Sequence, residues 1–322
     1  MEIISFYKFL TLNHLENVQA ELLNICQSHQ ICGSILIAPE GINGTISGER
    51  EDIARITDYF QASAIFSPME FKRSLHDTKP FRRMLVRIKK EIITMKTNGI
   101  DPTHLTGKYL PPLQLKEWLD HQEDVVLLDT RNDYEVKVGT FKGAIDPGIK
   151  SFSAFPDFID QHLDAFKGKK IITFCTGGIR CEKATAYMVS QGLTETYQIE
   201  GGVLKYFEDT QNLGTDNHWE GECVVFDSRL AVNKSLQPTE VKLCYSCFDP
   251  LSGHFPEGLC PKCQDVQSLA SQSRIKSGQD KYLANFEQRR KFLEKSREEK
   301  HWLPAKTAHL QDSNDTNQLE PL

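Results

Sequence analysis

The order of residue types in Ile171-Ile172-Thr173-Phe174-Cys175-Thr176-Gly177-Gly178-Ile179-Arg180-Cys181 describes a reactive thiol. An apolar run carries Cys175 to the end of a strand, and a glycine-containing loop turns the chain. A helix follows, whose Ala184, Tyr187 and Met188 recur at i, i+3 and i+4 spacing. The thiolate is the nucleophilic form of cysteine, and it is favoured where main-chain N–H groups and a helix N-terminus converge. Gly177 and Gly178 let successive amides turn inward without a Cβ clash. Arg180 adds a fixed fork of donors at the rim, and Thr176 and Ile179 complete the loop. Such surroundings lower a thiol from about 8.5 into a range of about 3.5–7.5. A lone cysteine at a sheet-to-helix turn is ordinarily a buried packing residue. The strand before it, the paired glycines and the arginine after it favour reactivity here. Cys181, at the helix start, reads two ways: as a resolving thiol for an oxidised Cys175, or as a small residue that packs the helix. Two more candidates end an earlier strand, Asp129 and Arg131. Each either faces the substrate or has a structural role, Asp129 as a cap for a neighbouring loop and Arg131 as a partner of Asp133 or Glu135.

A second constellation is metal-like. Cys244 and Cys247 form one C-x-x-C pair, Cys260 and Cys263 another, and twelve residues separate them. Two such knuckles present four thiolates and complete a tetrahedron, which predicts a structural zinc ribbon with no open coordination position. Free thiols or two disulfides are the alternative. Nine cysteines is an odd number, and no basic stretch before an apolar run marks a signal peptide at the N-terminus. A reducing, cytoplasmic location is therefore expected, with metal or catalytic roles ahead of disulfides. Cys26, Cys32 and Cys223 read as ordinary buried cysteines.

The 322 residues are 39% hydrophobic and 25% charged, a globular composition with room for two domains and a small module. No run of 18 apolar residues occurs, so no membrane helix is expected. The formal net charge of −6 excludes a uniformly basic nucleic-acid coat. It leaves room for a local basic surface, and residues 67–97 supply one with nine Lys or Arg against three acids. Lys72, Arg73, Arg82 and Arg83 are the candidates there for phosphate contact. The competing reading is a solvated charged face. No flavin or nucleotide motif is present, and nothing in the sequence sets the oligomeric state.

The positioning elements follow from periodicity. Residues 1–100 read as β-α-β-β-α-β, a ferredoxin-like α+β domain. Its strands are expected at 3–9, 34–37, 69–74 and 84–88, its helices at 14–29 and from 47 to about 60. Asn43-Gly44 signals a two-residue hairpin. Residues 101–112, with three prolines and no periodicity, read as a linker. Residues 113–215 alternate strands (125–128, 171–174, 196–199) with helices (112–121, 152–162, 181–191), which implies a doubly wound parallel sheet. The zinc-ribbon-like module is expected over 219–270, a charged helix over 279–302 and a disordered tail over 303–322.

The loop and its surroundings resemble the rhodanese family. Leu127 to Arg131 is similar to that family's L-D-x-R strand end. Gly139-Thr140-Phe141-Lys142-Gly143-Ala144-Ile145 is similar to its G-H-I-x-G-A motif, with Thr140 in place of the usual histidine. Gly201-Gly202-Val203 resembles the segment that closes the domain. The resemblance implies Cys175 as the persulfide-forming residue. Related phosphatases have a loop one residue longer than the six residues from Cys175 to Arg180, so sulfur chemistry is favoured over phosphate. A narrower resemblance covers residues 2–265. Cys175 through Ala184, Pro39-Glu40-Gly41-Ile42-Asn43-Gly44-Thr45 and the segment from Gly221 to Arg229 are similar to the TrhO family of bacterial proteins. That family implies oxygen-dependent hydroxylation of the wobble uridine of tRNA to 5-hydroxyuridine. Its implied partner is tRNA rather than DNA or a membrane, its co-substrate is molecular oxygen, and its essential cysteine corresponds to Cys175. A sulfurtransferase that forms a persulfide on Cys175 is the competing activity, and a binding module on a rhodanese scaffold is a third reading.

Overall fold

The computed structural model describes residues 1–75, 80–227, 229–244, 246–251, 259–261 and 263. The helix expected over 279–302 and the tail over 303–322 lie outside the described residues. Those residues fall into two compact units, a large one through Leu243 that also takes in 248–251, and a small one that holds the paired cysteines. No described helix is long and apolar enough to cross a membrane.

The N-terminal part runs β1 (Glu2–Phe9), α1 (Leu15–Ser28), β2 (Cys32–Ala38), β3 (Gly41–Gly48), α2 (Arg50–Ala62), β4 (Lys72–Leu75) and β5 (Met84–Ile88). The sheet order is β4-β1-β3-β2-β5, antiparallel except where β5 lies parallel to β2. Strand alternation divides its two faces. Ile4, Phe6, Ile35, Ile37 and Ile46 point one way and bury against Leu22 and Cys26 of α1 and Ile53, Ile56 and Phe60 of α2. Ser5 and Tyr7 are out of phase with them, so they point off the opposite face, with Lys72 paired opposite Ser5. The hairpin joining β2 and β3 turns at Pro39 and Glu40, so the expected turn at Asn43-Gly44 is corrected: both residues lie within β3. Gly44 is there because a Cβ would meet the Phe6 ring at 2.7 Å. Asn43 donates its amide to the Ile92 carbonyl at 3.1 Å.

The next part is a four-stranded parallel sheet in the order β6-β10-β9-β7. It comprises β6 (Lys108–Leu110), α3 (Pro112–Asp120), β7 (Val126–Asp129), α4 (Asp133–Val136), β8 (Gly139–Phe141), α5 (Phe155–Phe166), β9 (Ile171–Phe174), α6 (Ile179–Ser190), β10 (Thr196–Ile199) and α7 (Gly202–Thr210). Both faces are covered, which is why every residue of β9 is buried and three of its four are apolar. Leu127 and Ile172 pack with Leu115, Val203 and Phe207 of α3 and α7. Their neighbours Leu128 and Ile171 pack on the other side with Ile159, Ala184 and Met188 of α5 and α6. The linker expected over 101–112 is interrupted by β6. Three residues, of which only Leu110 is buried, are too few to show a period. Three short strands follow, β11 (Trp219–Gly221) on β8, and β12 (Cys223–Val224) paired with β13 (Ala231–Val232).

Candidate active site

β9 ends at Phe174, Cys175 follows it directly, and α6 begins four residues after Cys175, behind Gly178 at φ +101°. The loop between them turns its carbonyls out and its amides in. The Cys175 carbonyl accepts the Val203 N–H at 3.0 Å and the Thr176 carbonyl accepts the Leu204 N–H at 3.1 Å, so the first turn of α7 grips the loop from outside. Gly202 makes that grip possible, because a Cβ there would lie 2.6 Å from the Cys175 carbonyl oxygen. Inside, the Gly178 N–H donates to Cys175 Sγ at 3.1 Å. The Thr176 hydroxyl donates to the Val224 carbonyl at 3.1 Å, tying the loop to β12. Ile179 is half-buried at the first turn of α6.

Cys175 is 1% exposed, and polar groups surround its sulfur. Burial opposes ionisation. The Cys181 thiol, the Arg180 charge and the N–H groups of Arg180 and Cys181 outweigh that penalty and hold Cys175 well below the ordinary thiol range. Cys181 moves the other way, since burial and the neighbouring thiolate raise it, so it remains a thiol. Cys181 is fully buried, and its sulfur lies 3.7 Å from the Thr130 hydroxyl.

Arg180 does not stand free at the rim. Its guanidinium forks onto the carboxylate of Glu135, with bonds of 2.6 and 2.7 Å, and both side chains are buried. Glu135 is a residue the sequence reading assigned only as a partner for Arg131. It stands on α4 and also accepts the Asn132 N–H at 3.1 Å. Arg131 pairs with Asp129 instead, through bonds of 2.9 and 2.6 Å, and reaches the Gly139 carbonyl at 2.7 Å. Asp129 takes the Thr140 hydroxyl at 2.8 Å and the Arg131 N–H at 3.0 Å. Asp129 and Arg131 are fully buried and brace β7 against β8. An exposed ring does stand beside the site: Phe226 is 60% exposed, with the Arg180 guanidinium 5.7 Å from its centroid.

The N-terminal sheet lies against this loop. Lys72 donates to the carbonyls of Gly177 and, at 2.5 Å, Gly201. Its ammonium therefore stands at the cysteine loop. Arg73 pairs with Glu2 at 2.6 Å, while Arg82 and Arg83 are exposed on the approach to β5. Tyr7 and Tyr109 both donate to the buried carboxylate of Glu182, at 3.2 and 3.0 Å, and Gln198 adds a third donor at 3.1 Å. Burial raises Glu182 above the usual carboxylate range. Lys183, beside it on α6, pairs with Glu40 and Glu91 at 2.7 Å each. Tyr7, Glu182 and Phe226 left no local signal, because each acts on residues distant in the chain, and Lys72 showed only as a cation in a basic run.

The sulfur atoms of Cys244, Cys247, Cys260 and Cys263 lie within 4.8 Å of one another. Four thiolates at about 2.3 Å from one zinc ion stand about 3.8 Å apart by tetrahedral geometry. The Cys247–Cys260 separation of 3.7 Å meets that condition. The Cys260 N–H points at Cys244 Sγ, 3.4 Å away, as a charged sulfur requires. The group can bind a metal ion.

A parallel sheet that delivers a thiolate into a six-residue loop of inward amides is a rhodanese-type cysteine site. Family profiles agree: "Rhodanese-like domain" matches residues 111–209, and "UPF0176 acylphosphatase like domain" matches residues 1–92. A protein of Ralstonia nicotianae named tRNA uridine(34) hydroxylase is 47% identical over 280 residues, covering 83% of this chain and 98% of that one. The chain belongs to that hydroxylase family. Among solved structures, the rhodanese-like domain of an Anabaena sp. protein is 19% identical over 36% of this chain and 80% of its own, with a TM-score of 0.29. A rhodanese-related protein from Thermoplasma volcanium is 20% identical over 32% and 92%, with a TM-score of 0.26.

Proposed function

We propose that this protein is the hydroxylase of uridine 34, the wobble uridine of tRNA, and converts it to 5-hydroxyuridine in the cytoplasm. The observation that carries this reading is the thiolate of Cys175 in its ring of amides, in a chain nearly half identical to a protein of that name. The chemistry suits an anionic sulfur. Cys175 adds to C6 of the uracil, the electron pair of the C5–C6 double bond moves to C5 as an enolate, and C5 attacks oxygen derived from dioxygen. Loss of the C5 proton and expulsion of the thiolate restore the double bond. The exchange of C–H for C–OH is a two-electron oxidation. The second oxygen atom leaves as water, with two electrons and two protons from an external reductant.

The remaining residues suit an RNA substrate. Phe226 offers a flat face for base stacking beside Arg180. Arg82 and Arg83, with the exposed Arg87, Lys89 and Lys90, form a basic strip for phosphate contact. The four-cysteine group is read as a structural zinc site that fixes the C-terminal module and takes no part in the chemistry. Cys181 acts as a donor that keeps Cys175 ionised.

Nucleoside mass spectrometry of tRNA from a deletion strain tests the reading. Loss of 5-hydroxyuridine, restored by the wild-type chain but not by Cys175→Ala, is expected. Intact 5-hydroxyuridine in the deletion strain, together with Cys175-dependent thiosulfate turnover, would establish the sulfurtransferase instead.

A further inference from the structure

The cysteine loop presents three successive outward carbonyls, and only two are held by its own domain. Val203 and Leu204 take those of Cys175 and Thr176 through main-chain N–H groups of α7. The third, that of Gly177, is taken by the side chain of Lys72, which reaches across from β4 and also holds the Gly201 carbonyl, one residue before α7. A main-chain N–H would satisfy the carbonyl equally well. The N-terminal domain instead brings a full positive charge to the outside of a loop whose inside holds a negative one.

We propose that Lys72 is a positioning residue of the active site: its ammonium clasps the Gly177 and Gly201 carbonyls and so fixes the amide ring and the field that keep Cys175 anionic. Charge-assisted hydrogen bonds to two carbonyls polarise both peptide groups, which sharpens the N–H dipole of Gly178 aimed at the sulfur. The active site is thus completed by a domain that contributes no atom to the loop itself. The electrostatic surroundings agree. Around Cys175 stand Arg180 and Cys181 from α6, Lys72 from β4 and Tyr7 from β1. Around Lys72 stand Cys175, Cys181, Glu70 and Glu208. Burial lowers Lys72 to about 8, against the raising pull of the Cys175 thiolate and the two acids, so its charge persists through neutral pH.

The inference rests on Cys175 being a reactive thiolate, and alkylation kinetics test it without recourse to hydroxylation, so its failure and that of the hydroxylase reading are separable. The rate of Cys175 carboxamidomethylation by iodoacetamide is followed against pH in the full-length chain, resolved by peptide mass spectrometry. Lys72→Met is expected to move the midpoint upward, with alkylation about tenfold slower at pH values below it. Lys72→Arg is expected to restore most of the rate. Glu40→Gln cuts a different contact across the same seam, the one to Lys183, and is expected to leave the profile in place. Should Lys72→Met fail to fold, Lys72→Gln, which keeps a neutral donor, carries the test with a shift in the same direction. A profile for the uncharged Lys72 variant that superimposes on wild type would overturn the inference. So would an equal shift in Glu40→Gln, because that result reports domain docking rather than the clasp.

Discussion

Glu135→Gln isolates the support beneath Arg180. The carboxylate meets the guanidinium at 2.6 and 2.7 Å, with 0% and 6% of the two side chains exposed. Removing one partner of such a buried pair costs about 3–5 kcal/mol, because the remaining charge has no water to turn to. Glutamine keeps the shape and one acceptor oxygen, which places the expected loss near the lower figure, about 3 kcal/mol. Against a total stability of about 5–15 kcal/mol this is a large fraction. It corresponds to a fall in melting temperature of about 6–12 °C for a unit of this size. The pH dependence has a definite sign. Burial raises Glu135, but the Arg180 charge and hydrogen bonds outweigh it and leave the carboxyl depressed. A depressed carboxyl stabilises the fold above its unfolded value of about 4.3, and the contribution disappears as pH falls through the folded value. The gap between wild type and variant should therefore be widest at neutral pH and close in acid. Urea denaturation at a series of pH values measures it. A variant within about 1 kcal/mol of wild type at neutral pH, or a gap that widens in acid, refutes the assignment of Glu135 as the anchor of Arg180.

Three further outcomes are expected. The alkylation rate of Cys175 should be flat from neutral to mildly alkaline pH and fall only in acid, whereas the urea-unfolded chain should gain about tenfold per pH unit up to about 8.5; parallel slopes would mean an ordinary thiol. Phe226→Leu should weaken tRNA turnover through KM by roughly 5- to 150-fold, the worth of about 1–3 kcal/mol of stacking, with Cys175 alkylation unchanged. Equal kinetics would remove the ring from substrate binding. Protein purified without chelator should carry about one zinc ion per chain by elemental analysis, and Cys260→Ser should lose most of it; metal-free wild-type protein would count against the zinc reading.

Much of the site was legible because its logic is local. The apolar strand Ile171–Phe174, the two glycines and the helix that follows stand within a dozen residues, and each carries its own signal. Strand period two and helix period 3.6 also located most of the N-terminal elements, where α1 buries Val18, Leu22 and Cys26. Tertiary contacts overrode the local signal elsewhere. Asn43-Gly44 reads as a turn, yet Gly44 is selected by the Phe6 ring packed over it in the neighbouring strand. The helix Gly202–Thr210 opens on two glycines with positive φ, a start that resembles a loop until the approach to the Cys175 carbonyl is known. Arg131 pairs with Asp129, two residues away, while the equally buried Glu135 that follows it is taken by Arg180. Lys72 reads as one more surface cation in a basic run, and nothing near it in sequence announces the carbonyl 105 residues away.

The seam formed by Tyr7, Lys72, Glu40 and Glu91 with α6 and the cysteine loop before it has a bearing on modularity. A rhodanese-type domain is usually thought portable, a bead that can be cut from one chain and threaded into another. Here the cut would strip Glu182 of its two tyrosine donors, leave Lys183 without Glu40 and Glu91, and unclasp one rung of the catalytic ring. A graft of residues 111–209 into a foreign host would carry the nucleophile but leave behind part of what makes it one. The two halves are best regarded as a single inherited machine whose parting line happens to run through its working surface.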